Sequence, residues 1–429
     1  MSPVSLKDLA MFYFPLCSTS LLFYLIQTLL HGGLARTPDF PLSLSAFALA
    51  RSLTLMICAY VFTIPQTITA LAKDAVTFQR VCRHFQHLTL LTGGLLAFLG
   101  WTPLGPWVFT RLMGATGPLL IKSQQAIRLL VLLPLVMTLH QREVGLLIRA
   151  KKTHPILVGA LIQLVTVGLL VFGLGATGLP GGVVGSLAYV GSFGANYLFL
   201  RQVPKAPWPK EDSAESLALT AIRNFSLPLI LTAFVGMVFP PLVNAALTRS
   251  HNPNLFLPAF EIGFHYGMLL VGPLFQLHQC GLNFTAKANR RQVTRFTPLV
   301  SGGSVLGLLL AGFTPVGRWV FLRLLAVDLP VTQEAIRVVQ VMAILPVLAG
   351  AREYRWGLFM GTGQAAYIGR GKALNLGITL AGVVIGIRWF PWPSAVSALW
   401  LLVLAEVVEY GYLRSRPVIQ CVTQDHHCP

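Results

Sequence analysis

The chain has 429 residues, 55% of them hydrophobic and only 11% charged, with a formal net charge of +18. Soluble domains carry roughly 25% charged residues, so this composition excludes a soluble globular protein and indicates a polytopic membrane protein. In a soluble chain the positive surplus would point to nucleic acid, but here the basic residues sit mostly in short loops between apolar runs, where they set topology; no nucleic-acid partner is expected.

Taken in chain order, apolar runs of about 18 or more residues predict membrane helices. The first, 11–31, is too long for a cleaved signal peptide and lacks a small-residue cleavage site, so it reads as a span. Further runs follow at 44–66, 88–109, 126–148, 156–177 and 181–201. A polar, turn-rich stretch from Val203 to Ser216, with Pro204, Pro207 and Pro209 beside Glu211, Asp212 and Glu215, separates these from a second set. That set runs at 219–247, 257–281, 297–317, 334–351, 373–389 and 394–413. The expected fold is all-α with about twelve transmembrane helices. Its domains are a six-helix lobe over 1–201, a linker over 202–218, a second six-helix lobe over 219–416 and a tail over 417–429.

The two sets repeat one another. Trp101-Thr102-Pro103-Leu104-Gly105-Pro106-Trp107-Val108-Phe109 returns about 212 residues on as Phe313-Thr314-Pro315-Val316-Gly317-Arg318-Trp319-Val320-Phe321. Without a gap, Arg111 falls on Arg323, Pro118 on Pro330, Pro134 on Pro346 and Gly145 on Gly357. At one residue more, Phe14-Pro15-Leu16, Thr19 and Arg36 match Leu227-Pro228-Leu229, Thr232 and Arg249. Pro and Gly fix backbone geometry, so their agreement argues for a duplicated structural unit. Assigning alternate loops to alternate sides gives one side about two thirds of the 32 Lys and Arg residues. The positive-inside rule makes that side, with both termini and the linker, cytoplasmic. An even number of spans per half makes the copies parallel repeats about an axis along the membrane normal, an architecture of transporters.

Few polar groups lie inside the spans, so each is a candidate for function. Arg51 begins the second span; the eighth carries Glu261, His265 and Tyr266, with Gln276 and His278 further on. The first and seventh contribute Gln27, Thr28 and Asn244, with Arg36 and Arg249 at their outer ends. On a helix Glu261 and His265 are four apart and share a face, so they are placed to hydrogen-bond and exchange a proton. Pro15 and Pro228 interrupt the first helix of each half, and Pro65 and Pro273 lie late in the second and eighth spans. Matched interruptions of this kind mark either hinges that form a transporter's site or packing kinks without function. The Thr-Pro-x-Gly-x-Trp-Val-Phe segments end the third and ninth spans, as interfacial turns or as a symmetric outer gate. Arg128 and Arg337 open the fourth and tenth spans; Arg142-Glu143 and Arg352-Glu353 at their inner ends read as local ion pairs. Glu406 and Glu409 have no obvious partner beyond Arg388 or Arg370.

Several motifs exclude functions. Gly371-Lys372 fails as a P-loop because no Gly stands five residues earlier and Ala373 replaces Ser or Thr. There is no HExxH, GxSxG or DxD, so no enzyme and no cofactor is expected. The six cysteines have neither CxxC nor regular spacing, and the tail His426-His427-Cys428 reads as a solvated end, so no metal is expected either.

Two six-span halves and the Pro-Leu entries Phe14-Pro15-Leu16 and Leu227-Pro228-Leu229 resemble the multidrug/oligosaccharidyl-lipid/polysaccharide (MOP) exporter superfamily. Pro240-Pro241-Leu242-Val243-Asn244, Gly272-Pro273-Leu274, Phe313-Thr314-Pro315 and Val327-Asp328 are similar in layout to the progressive ankylosis protein and its bacterial relatives. The resemblance implies a V-shaped pair of lobes around a cavity lined by the first, second, seventh and eighth spans, and anionic cargo. Arg51, His265, Arg36 and Arg249, with Asn244 and Gln276, would then meet the cargo, since Arg suits phosphate and carboxylate. The acidic cluster of multidrug members is not recognisable in the first half. The expected function is an alternating-access transporter, acting as a monomer in the bilayer, that exports or flips an anionic small molecule or lipid-linked precursor. Two alternatives stay open: a proton-coupled multidrug efflux antiporter with Glu261 and His265 as the titrating pair, and a scaffold of an envelope-biosynthesis complex.

Overall fold

A computed structural model describes residues 5–150, 152, 154–205, 218–284, 287–362, 364–389 and 394–418. The linker's prolines Pro207 and Pro209 and the tail's His426, His427 and Cys428 lie outside the described residues. The described residues are almost wholly helical, and twelve spans result if each bent helix pair counts as one. In the first half these are α1 (Leu6–Leu34), α2 (Leu42–Ile57 with Ala59–Leu71), α3 (Ala75–Trp101), α4 (Gly117–Leu130 with Leu133–Arg149), α5 (His154–Gly175) and α6 (Gly181–Gln202). In the second they are α7 (Leu219–Thr248), α8 (Pro253–Leu282), α9 (Lys287–Phe313), α10 (Leu329–Met342 with Leu345–Gly361), α11 (Ala365–Arg388) and α12 (Val396–Arg414). Twelve crossings put the first turn of α1 and the last turn of α12 on one face, here termed the terminal face; the loop from Ala35 to Pro41 lies on the opposite, far face.

The matched prolines and glycines act differently from the expectation. α1 and α7 run unbroken past Pro15 and Pro228, and in α7 Thr232 Oγ1 donates to the Pro228 carbonyl at 2.9 Å. The interruption falls instead in the second helix of each half, where five residues wind as a 3₁₀ helix: Ala59–Thr63 in α2 and Gly272–Gln276 in α8. Pro65 opens the short helix after the first and Pro273 opens the second itself, positions where a missing N–H is tolerated. α2 bends by 54° there. Pro134 and Pro346 likewise restart α4 and α10 after bends of 41° and 43°.

The third and ninth helices end earlier than expected, at Trp101 and Phe313, and the repeated motif forms a hook beyond them. After α3 the hook turns by 86°. Thr102 and Thr314 make both turns: each hydroxyl donates back to a carbonyl one turn earlier, Phe98 at 2.6 Å and Leu310 at 2.5 Å. Gly105 and Gly317 are required by contact, since a Cβ would stand 1.8 Å from the Leu99 carbonyl oxygen and 1.7 Å from that of Ala311. Each hook closes in a π-helical turn, Val108–Leu112 and Val320–Leu324. α4 and α10 begin after the hooks, so Arg128 and Arg337 stand inside them rather than opening them. Arg128 Nε donates to the Gly100 carbonyl at 2.7 Å, capping α3, and Gln340 serves Gly312 of α9 the same way at 2.8 Å.

The halves join by an exchange of first helices: α1 packs along α8 and its 3₁₀ turn, and α7 packs along α2 and its 3₁₀ turn. On the terminal face Tyr13 donates to the Pro273 carbonyl at 2.9 Å and packs edge-on against Phe296.

Candidate functional site

α1, α2, α7 and α8 meet at a buried polar cluster that spans the two halves. Arg51 of α2, with 5% of its surface exposed, donates from Nη1 to Gln27 Oε1 at 2.5 Å and from Nη2 to Glu261 Oε2 at 2.8 Å. Its guanidinium also lies over the Phe47 ring at 5.6 Å. Glu261 Oε1 accepts from Asn244 Nδ2 at 3.3 Å, and the same amide reaches Ser52 Oγ at 3.1 Å. His265 Nδ1 lies 2.9 Å from the Glu261 backbone oxygen, so it carries the ring proton and Nε2 is left to accept from Arg51 Nη2 at 3.4 Å. His31 of α1 brings Nε2 to 3.9 Å from Glu261 Oε2 and stacks edge-on against His265.

Sequence reading placed Arg51, Asn244, Glu261 and His265 among the candidates, and all four are in this cluster. It passed over His31. The signal was available: the shift that pairs Arg36 with Arg249 also pairs His31 with Asn244, Ala48 with Glu261 and Ser52 with His265. Gln276 is not part of the cluster; it lies in the 3₁₀ turn of α8 and donates to Ser20 at 3.1 Å. Arg36 and Arg249 are not there either. They cross the far face as a symmetric pair: Arg36 donates to the Leu324 and Leu325 carbonyls at 2.7 and 3.2 Å, Arg249 to Arg111 and Leu112 at 2.6 and 3.0 Å. Each guanidinium caps the other half's π-helical turn. Contacts therefore bridge the two halves near both faces, these arginines on the far face and Tyr13 with Pro273 and Phe296 on the terminal face.

The cluster holds more unsatisfied polar groups than a finished ion pair needs. Both ring nitrogens of His31, Asn244 Oδ1 and Arg51 Nε have no protein partner. Each such group costs about 1–3 kcal/mol when buried. Ligating atoms of His31, Glu261 and His265 lie within 4.8 Å of one another, a donor set with the chemistry for a divalent ion, although no metal is expected from the sequence. Arg51 Nη2 occupies the same carboxylate oxygen, so the cation of this cluster is the guanidinium.

A second buried network lies wholly in the second half. Glu406 and Glu409, left without partners by sequence reading, are both paired, and not by Arg388 or Arg370: Arg352 bonds Glu406, and Glu409 accepts from Lys372 at 3.1 Å and Asn375 at 2.9 Å. Arg352 also bonds Glu353 at 2.7 Å, the local pair expected, and Arg142 bonds Glu143 at 2.7 Å. Helix periodicity gave no information about the pairing because these partners lie on α10, α11 and α12.

No protein-family model matches the sequence, and no curated protein does. Solved structures match over nearly the whole chain. An inward-facing multidrug resistance MATE family transporter of the MOP superfamily superposes with a TM-score of 0.67 at 15% identity, over 93% of this chain and 96% of that one. The lipid II flippase MurJ in an inward closed conformation gives 0.69 at 12% identity, over 93% and 86%. A MOP superfamily transporter from Pyrococcus furiosus, whose binding pocket is described as reversed in polarity, gives 0.58 at 15% identity, over 93% and 94%. At such identities the likeness defines the fold. This is a multi-pass membrane protein with the two-lobe helical architecture of MOP transporters and flippases, as the paired Pro-Leu motifs led one to expect.

Proposed function

We propose that the chain is an alternating-access carrier that moves an anionic small molecule or a lipid-linked anionic precursor, with Arg51 as the group that holds the acid. The observation that carries this reading is a buried guanidinium at the meeting point of the four inner helices, with Asn244, His31 and His265 in the same cluster. The lobes 1–201 and 219–416 rock about this point, with the 3₁₀ turns at Pro65 and Pro273 as the hinges and Pro15 and Pro228, inside continuous helices, as lesser ones. Arg36 and Arg249 close the far face. The terminal face, rich in Lys and Arg, lies in the cytoplasm, and the protein works as a monomer by transport rather than catalysis. The fold supports this reading, since it is shared with a lipid II flippase and with a transporter described as having reversed pocket polarity.

The test is counterflow of labelled pyrophosphate, citrate and ATP into proteoliposomes, beside an Arg51→Ala variant. Uptake that the variant loses is the expected result. If the protein moves none of these, and no fluorescent lipid-linked sugar either, the reading is overturned. The rival, proton-coupled efflux of cationic drugs, needs Glu261 free to meet the cargo; its carboxylate is instead held by Arg51. Drug sensitivity in a Glu261→Gln strain would favour that rival.

A further inference from the structure

Four polar atoms of the central cluster have no protein partner: both ring nitrogens of His31, Arg51 Nε and Asn244 Oδ1. Nε shares one edge of the guanidinium with Nη2, and such an edge is the fork that takes a carboxylate or phosphate with two hydrogen bonds. Glu261 Oε2 fills only half of it, on Nη2 at 2.8 Å. His31, with 1% of its surface exposed, brings Nε2 to 3.9 Å from the same oxygen. One donor atom each of His31, Glu261 and His265 lies within 4.8 Å of the other two. We propose that the cargo is a chelate, an acid of two or more negative charges carrying a divalent ion of the zinc class. His31, Glu261 and His265 take the metal, and the edge of Arg51 formed by Nε and Nη2 takes the acid group. This rests on the anion-carrier reading and names the class of anion.

Charge balance favours a chelate over either ion by itself. In this form Arg51 and Glu261 neutralise one another across the two halves. A metal ion alone would take Glu261 and leave the guanidinium facing a divalent charge; an anion alone would take Arg51 and leave Glu261 without a cation. Either outcome strands a buried charge, which is costly. A divalent ion bound to a dianion adds no net charge and gives both members of the pair a new partner. Gln27 Oε1 holds Arg51 Nη1 at 2.5 Å, so the guanidinium stays anchored while its other edge exchanges. His265 Nε2, which accepts from Nη2 here, is freed by the same turn. Asn244 Nδ2 keeps Glu261 Oε1 at 3.3 Å, leaving Oε2 for the metal. The donor types choose the ion: two imidazoles and a carboxylate suit zinc and its first-row neighbours, whereas calcium and magnesium take oxygen shells. Ligand atoms on one zinc ion stand about 3.3 Å apart, so the three need shifts on the order of 1 Å to close on it, and a fourth position is left for an oxygen of the acid. His31 belongs to the first half and Glu261 and His265 to the second, so the chelate holds both lobes at once.

The test is counterflow of labelled citrate or pyrophosphate into proteoliposomes holding the full chain, with zinc, with magnesium or with EDTA, and with radioactive zinc followed in a parallel run. Zinc should raise counterflow of at least one of the two anions by about fivefold or more over EDTA, the low end of typical coupling. Magnesium should not, and zinc should cross one for one with the anion. His31→Gln should abolish the stimulation; the wild-type arms decide the question even if that variant does not fold. Movement of these anions, or of fluorescent lipid-linked sugar, that is the same in EDTA as in zinc overturns the chelate and leaves the carrier. So does a stimulation that magnesium matches, or one that folded His31→Gln keeps. Zinc that crosses without any anion overturns both. If neither zinc nor any of these anions moves under any condition, the carrier reading falls and the chelate with it.

Discussion

The two halves share a backbone and differ in chemistry. Both have a hook shaped by Thr and Gly, an arginine that crosses the far face, and a second helix broken by five residues of 3₁₀ winding. At the centre, however, Glu261 and His265 of the second half correspond in the repeat to Ala48 and Ser52 of the first, and Arg51 corresponds to Phe264. Away from the centre, the first half buries hydroxyls, with Tyr60 3.0 Å from Thr89 and 3.3 Å from Thr92, beside a smaller ion network on Glu143, while the second holds the larger network of Arg352, Glu353, Glu406 and Glu409. Features that set backbone geometry are kept in both copies, and the charged side chains of the central cluster differ between them. On the proposed carrier reading, the duplicated frame would supply the motion and its asymmetry the chemistry.

The strongest way to break this comparison is to exchange members of its central pair. Arg51→Ala strands Glu261 and should cost about 3–5 kcal/mol, the usual penalty for removing one partner of a buried pair, together with all anion counterflow. Phe264→Ala, at the matching place, should retain counterflow. Equal loss of transport in both would refute the asymmetry; unfolding in detergent and flux assays read the two effects.

Next come the glycines. Gly105→Ala and Gly317→Ala should each destabilise by about 1–3 kcal/mol, as overpacked sites do, and by similar amounts, because both meet a carbonyl below van der Waals distance. A large difference in unfolding midpoint would show that the hooks are not equivalent. Arg36→Ala and Arg249→Ala should each lose about 1–2 kcal/mol, near the value of interhelical hydrogen bonds in membranes. The double variant should label more readily at thiols introduced on the far face, and unchanged labelling would remove the latch role.

The smallest effect is expected at Asp39, on the far-face loop. Burial pushes its carboxyl up, but Lys122, Ser43 and the Gly181 N–H outweigh this and hold it below the ordinary aspartate range. Its contribution to stability is present above that range and lost as pH falls through the lowered value. Asp39→Asn, which makes the loop resemble its counterpart at Asn252, should therefore lower stability slightly at neutral pH and flatten its acid dependence. A pH profile of unfolding that overlays the wild type would count against this.

Much of the frame was legible in the sequence. Apolar run length gave the number of spans, and the spacing of Pro103 and Pro315, Gly105 and Gly317, Pro134 and Pro346 gave the duplication, because those residues constrain the backbone wherever they occur. Span ends were less accurate, since hydropathy does not distinguish α3 from the apolar hook that follows it. The site was half legible. Arg51, Asn244, Glu261 and His265 stand out as polar groups in apolar runs, whereas His31 needed the internal alignment to be noticed, and Gln276 looked equivalent to them until its position in the α8 turn was known. Only the tertiary structure decided which polar groups meet. Glu261 finds Arg51 across 210 residues and Glu406 finds Arg352 across 54, through helices whose faces are set by packing against several neighbours at once, information that no local periodicity contains.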